Sequence, residues 1–191
     1  MNKHEVTGII LAGGESNRMG KDKGLCEFKG KPLISYAIDA LLPLCGTILI
    51  SSNNIEDYQK FGYQVTIDKY EGIGPIGGIY SSLKKSVTKH NLIISCDTPF
   101  LNTPLLEFIL DNSDNYEIVV PEHSNSLIEP LAAYYSSDIV NLLEISIKKK
   151  DYKLMNFLNK VKFKKINVDS IYGFSNKLFI NLNTPDDLLL C

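Results

Sequence analysis

Arg18 is the only arginine in a chain of 191 residues; the other 19 cationic side chains are lysines. It lies within GIILAGGESNRMGKDKG, Gly8 to Gly24, where Gly13, Gly14 and Gly20 let backbone approach a ligand closely. A guanidinium grips phosphate through two parallel hydrogen bonds, which an ammonium cannot do. With Lys21 and Lys23 beside it, the loop has the chemistry of a polyphosphate cradle. The plainer reading is a basic surface turn. Asp97 is the second feature, a carboxylate just beyond the apolar run NLIIS and Cys96.

Strand-like runs alternate with helical patterns along the chain, which predicts a three-layer α/β/α fold around a mostly parallel sheet. Strands are expected at Val6–Ala12, Thr47–Ser52, Tyr63–Ile67, Asn91–Ser95, Tyr116–Pro121 and Pro130–Tyr135. Helices are expected from Pro32, around Ile55 to Phe61, through Ile76 to Leu83, after Thr103-Pro104, and over Asp138–Ile147 and Tyr152–Lys160. A final strand pair and a short helix after Pro185 should close the chain. In open α/β sheets ligands bind beyond the carboxyl ends of the strands. Both the glycine loop and Asp97 fall there.

The length fits a single domain over residues 1–191. Net charge is −2, so no global positive field recruits nucleic acid, and any anion affinity must be local. No apolar run approaches the ~20 residues of a membrane helix, and no signal-peptide shape opens the chain, so a cytoplasmic protein is expected. Cys26, Cys45, Cys96 and Cys191 form no CxxC pair, and His4, His90 and His123 are scattered, which argues against zinc. Cys96 reads as an inert buried thiol rather than a nucleophile. The run Lys148 to Lys153 reads as a solvated helix junction.

Two nucleotide motifs are excluded by spacing. Five residues separate Gly14 from Gly20, and Asp22 follows Lys21, so the loop is no P-loop; GxGxxG is absent too. The loop instead resembles the signature LAGGxSxRMGxDK of the molybdenum cofactor guanylyltransferases, within the larger nucleotidyltransferase group. Leu11, Ala12, Gly13, Gly14, Ser16, Arg18, Met19, Gly20, Asp22 and Lys23 match, followed by Gly30-Lys31-Pro32-Leu33. Asp68, the Gly74-Pro75-Ile76-Gly77-Gly78 loop, Cys96-Asp97-Thr98-Pro99-Phe100 and Asn181 to Leu188 (NLNTPDDL) agree in the family's order.

The resemblance implies a nucleotide-diphospho-sugar transferase-like, Rossmann-like fold and transfer of GMP from Mg²⁺·GTP to molybdenum–molybdopterin. Arg18, Lys23, Asp97 and Asn183 would be catalytic, with Asp97 holding Mg²⁺. Leu11, Ala12, Gly13, Gly14, Lys23, Ser51 or Asn53, Asp68 and Asp97 would hold the nucleotide. Gly77, Gly78, Asn181 and Asn183 would contact the substrates. Implied partners are proteins that insert molybdenum or receive the cofactor. The chemistry agrees: joining two polyanions requires cations and directed backbone N–H groups, and Mg²⁺ commonly binds one or two carboxylates plus substrate phosphate. Gly13 resembles the guanylyl LAGG pattern rather than the cytidylyl LAAG. Plainer roles stay open for Asp68 as a turn former and for Asn183 as a cap of the last helix. Lys149, Lys150 and Lys153 stand where relatives place basic residues near the pterin. A cytidylyltransferase acting on molybdopterin or a sugar phosphate is the nearest alternative. A non-catalytic nucleotide-binding module is the alternative of another class.

Overall fold

The computed structural model describes residues 2–13, 22–124, 126–169, 171 and 174–190. Gly14, Arg18, Gly20 and Lys21 lie outside the described residues, so the roles expected of them remain sequence expectations.

In chain order the strands are β1 (Val6–Leu11), β2 (Glu27–Phe28), β3 (Lys31–Pro32), β4 (Thr47–Ser51), β5 (Gln64–Thr66), β6 (His90–Ser95), β7 (Ile118–His123), β8 (Leu127–Ile128), β9 (Ala132–Ser136) and β10 (Phe163–Asn167). The helices are α1 (Leu33–Leu41), α2 (Ile55–Tyr58), α3 (Pro75–Lys85), α4 (Thr103–Asp111), α5 (Val140–Lys148), α6 (Leu154–Leu158) and α7 (Pro185–Leu190). The described residues form an eight-stranded sheet in the order β10-β7-β9-β6-β1-β4-β5, with β8 added to β7. Its pairs are parallel except those made by β9 and β8. This is the three-layer, mostly parallel arrangement that the alternation predicts.

The strands read as unbroken apolar runs because helices cover both faces. Side chains sort by the two-residue strand period. Val6, Ile10, Leu92 and Ile94 join α1 and α4 on one face. Ile9, Leu11 and Ile93 join α3, α5 and α6 on the other. Each fully buried aliphatic side chain contributes roughly 1.5–3 kcal/mol, so a one-residue slip would be costly. Gly8 adds a steric lock: a Cβ there would lie 3.0 Å from Leu41 Cδ1 and 3.1 Å from Cys45 Sγ.

Two local expectations need correction. Only β10 of the expected final strand pair joins the sheet; Asn176–Phe179 is a single helical turn. Leu178 and Phe179 are consecutive and both buried, which an alternating strand cannot arrange on one face, and the Ser175 side chain accepts the Lys177 N–H to cap the turn. A small hairpin, β2–β3, was not expected. Lys29 and Gly30 both take positive φ (47° and 84°), the signature of a two-residue hairpin turn.

Candidate active site

Three strand ends meet level at the middle of the sheet: Leu11 registers with Ser51 of β4 on one side and Ser95 of β6 on the other. The chain runs outward from β1 to β4 and β5, then returns to lay β6 on the opposite flank of β1. Such a reversal opens a crevice at the carboxyl ends of the strands. A cleft of about 850 Å³ lies there, within the range of small-molecule sites. Leu11, Ala12 and Gly13 line its middle, Ser51, Asn53 and Asp68 one end, and Asp22 and Ser95 the other.

Asp97 stands two residues beyond β6, next to the Ser95 end. Its Oδ1 accepts a 2.5 Å hydrogen bond from Ser95 Oγ, and its Oδ2 accepts from Lys23 Nζ. The same ammonium donates to Asn183 Oδ1. Asp97 and Asn183, 74 and 160 positions from Lys23, thus converge with it on one charge-assisted cluster. The pair is mostly enclosed, with Lys23 and Asp97 side chains 18% and 14% exposed. Lys23 itself begins a one-turn helix, Lys23–Leu25, on the trailing limb of the glycine loop.

Asn183 is placed from below. Leu182 is fully buried against Phe28 and Leu33, with Phe100 of the CDTPF segment packed beside them. Its amide donates to the Asp97 carbonyl at 2.9 Å, tying the two segments together. Asn181 and Asn183 flank it and are exposed. Capping of α7 falls to Thr184 and Asp187: Thr184 Oγ1 accepts the Asp187 N–H, and Asp187 Oδ2 accepts the N–H groups of Asn183 (2.7 Å) and Thr184 (2.8 Å). Those backbone donors hold the Asp187 carboxyl below the usual carboxylate range. The Asn183 side chain is therefore turned to Lys23 rather than to the helix.

At the other end, Asp68 Oδ1 accepts from Ser51 Oγ at 3.0 Å, and the Asp68 N–H donates to Asn53 Oδ1 at 3.1 Å. Burial raises the Asp68 carboxyl above its ordinary range, against the lowering effect of the Ser51 bond. Ser51 is buried, whereas Asn53 is exposed at the cleft mouth. Helix α3 passes close behind: a Cβ on Gly78 would lie 2.8 Å from Ser51 Oγ, and one on Gly77 would lie 2.6 Å from the Tyr70 carbonyl. Packing thus accounts for both glycines, and of the two Gly78 lines the cleft.

Other sequence features fall elsewhere. Burial, then the neighbouring Asp97, pushes the Cys96 thiol well above its ordinary range, so it stays a packed, protonated group. The Lys148–Lys153 run is the α5–α6 junction, with Lys150 in the left-handed region (φ 59°) and its N–H on the Ile147 carbonyl. Two site groups escaped the sequence reading. Ser95, which orients Asp97, ends β6 two positions before it, a proximity that could have flagged it. Tyr58, whose hydroxyl donates to Asp22 Oδ1, carries no local signal.

Among the described residues no group of three or more His, Cys, Asp and Glu could hold a metal. The donors present, the Asp97 carboxylate and Asn183 Oδ1, are hard oxygens that suit Mg²⁺ if phosphate and water complete its shell.

The chain is similar to known proteins over nearly its whole length. A family model described as the MobA-like NTP transferase domain matches residues 8–164. The molybdenum cofactor guanylyltransferase of Vibrio vulnificus is 35% identical over 185 residues, covering 94% of this chain and 91% of that protein. The enzyme of the same name from Vibrio parahaemolyticus is 33% identical over 188 residues, covering 96% and 93%. The crystal structure of molybdopterin-guanine dinucleotide biosynthesis protein A from Archaeoglobus fulgidus superposes with a TM-score of 0.81 at 24% identity, over 96% of this chain and 95% of that one, a likeness of fold. With the family match running from β1 to β10 and relatives above 30% identity spanning nearly the whole chain, this nucleotidyltransferase belongs to the MobA-like NTP transferase family.

Proposed function

We propose that the chain transfers GMP from Mg²⁺·GTP to the phosphate of molybdenum–molybdopterin, forming the guanine dinucleotide cofactor and pyrophosphate. The observation that carries this reading is one cleft with Asp68 at one end and the Lys23–Asp97–Asn183 cluster bordering the other. The names of the relatives support the choice of donor and acceptor. An acceptor phosphate oxygen attacks the α-phosphorus; the bond to the bridging oxygen breaks, and pyrophosphate leaves with the electron pair. Lys23, with Arg18 from the loop, supplies fixed positive charge against the repulsion of two polyanions. Asp97 and Asn183 would hold Mg²⁺, which supplies Lewis-acid charge at the phosphates. Residues 1–191 act as one domain in this reading. The proposed location is the cytoplasm, where GTP is available, and proteins that insert molybdenum or receive the product are the expected partners.

Base choice is assigned to Asp68 and Gly13. The Asp68 carboxylate is the acceptor for the N–H edge of guanine, with Asn53 beside it at the mouth and Ser51 holding it from below. Because its folded pKa is raised, the charged acceptor is lost earlier on acidification than in a free aspartate. GTP affinity should therefore fall as pH drops through that raised value. Asp68→Asn should bind GTP weakly at every pH and lack the inflection, as a calorimetric titration series would reveal.

Gly13 is not required by the packing of the described residues. Among the described residues, a Cβ there would meet only Ser51 O at 3.7 Å and Ser52 Cα at 3.9 Å, ordinary contacts. Gly13→Ala should thus leave unliganded stability within about 0.5 kcal/mol and selectively reduce thermal stabilisation by Mg²⁺·GTP. Equal stabilisation of parent and variant by GTP would remove Gly13 from base selection. The function itself is tested by incubating the protein with Mg²⁺·GTP and molybdenum–molybdopterin. Guanine dinucleotide and pyrophosphate should appear together; CTP as the sole productive donor would overturn the assignment.

A further inference from the structure

Tyr58 ends α2 fully buried, yet its hydroxyl is directed at the base of the glycine loop. Its Oη donates to Asp22 Oδ1 and lies 3.5 Å from the Ala12 carbonyl oxygen. Ala12 leads into the loop and Asp22 leads out of it, immediately before Lys23. Gly24 rests on the same hydroxyl: a Cβ there would lie 2.4 Å from Tyr58 Oη and 3.3 Å from Cys96 Sγ. Only glycine lets the trailing limb lie so close. The ring is held in turn by Phe61, at 6.2 Å between centroids. Burial, with Cys96 adjacent, pushes the phenol well above its ordinary range, so it remains a hydrogen-bond donor across the working pH range.

We infer that Tyr58 is a positioning residue whose hydroxyl latches Asp22 to the buried end of α2 and so keeps the adjacent Lys23 at the Asp97 side of the cleft. The inference rests on the proposed role of Lys23 at the phosphates. Its physical basis is restraint of a neighbour: a hydrogen bond from a fully buried ring fixes Asp22, the residue directly before Lys23. Displacement of a reacting group by about 1 Å can cost on the order of 100-fold in rate. The other contacts of Lys23, to Asp97 and Asn183, are ones that substrate phosphates would compete for. The Tyr58 bond comes from a fully buried donor outside the cleft lining and persists through that exchange.

Tyr58→Phe removes one oxygen and keeps the ring in the core. Amide hydrogen exchange over Asp22–Cys26, measured without nucleotide, should speed up about fivefold or more, and turnover should fall about tenfold, chiefly in kcat. Asp22→Asn retains an acceptor oxygen and should exchange like the parent. Asp22→Ala breaks the same bond from its partly exposed side and should exchange like Tyr58→Phe, which keeps the test decisive if the phenylalanine variant folds poorly. Parental exchange rates in both Tyr58→Phe and Asp22→Ala would overturn the latch. Faster exchange with parental turnover would overturn its positioning role. A parent protein inert toward GTP would instead sink the proposed function, and the exchange comparison would still decide the latch.

Discussion

Asp97→Ala is expected to lower turnover of Mg²⁺·GTP by ~100- to 1,000-fold while the circular dichroism spectrum stays that of the parent. The carboxylate is held by donors on both oxygens, Ser95 Oγ on one and Lys23 Nζ on the other, and its backbone carbonyl is tied to the Leu182 amide. Alanine removes the hard-oxygen donor and leaves the backbone tie. The stranded Lys23 ammonium keeps Asn183 Oδ1 as an acceptor and is 18% exposed, so water reaches it. Its cost should fall below the ~3–5 kcal/mol of a fully buried, broken pair. Near-parental turnover at saturating Mg²⁺ would remove Asp97 from the metal-holding role.

Lys23→Met should move two measurements in opposite directions. Turnover should fall by ~100-fold or more, because a fixed charge beside the polyphosphate is lost. Binding of Mn²⁺ without nucleotide should tighten at least about fivefold, because the ammonium no longer occupies Asp97 Oδ2; a unit charge ~4 Å away is worth about 1 kcal/mol even in water. Electron paramagnetic resonance of free Mn²⁺ reads that affinity directly. Unchanged or weaker Mn²⁺ binding would show that lysine and cation do not share the carboxylate. On the proposed assignment the same competition would give nucleotide a role in metal binding, because substrate phosphates would offer Lys23 another partner and free Asp97 to hold the cation.

Much of the fold is legible in the chain because a parallel sheet covered on both faces demands continuous apolar runs. VTGIIL, TILIS and HNLIIS therefore announce β1, β4 and β6 within a residue or two. Helices α1, α3 and α4 show their buried stripes at helical spacing for the same reason. Where local pattern misleads, a tertiary contact decides. Leu178 and Phe179 form a turn because both enter one core, and Lys29-Gly30 makes a hairpin turn through positive φ at both positions. Asn183 and Thr184 are equally plausible caps by composition. Burial of Leu182 turns Asn183 toward Lys23 and leaves Thr184 and Asp187 to cap α7.

The chain alone determined that strand and helix alternate, that a glycine-rich basic loop follows the first strand, and that Asp97 stands just past a buried one. These are properties of neighbours in sequence, set by periodicity and backbone freedom. Folding decided that Lys23 lands on Asp97 and Asn183, that Ser51 and Asn53 both serve Asp68, and that a core tyrosine reaches the neck of the loop. Such contacts join residues 15 to 160 positions apart, and they exist only because the sheet order brings separate strand ends level while the helical layers press their side chains together.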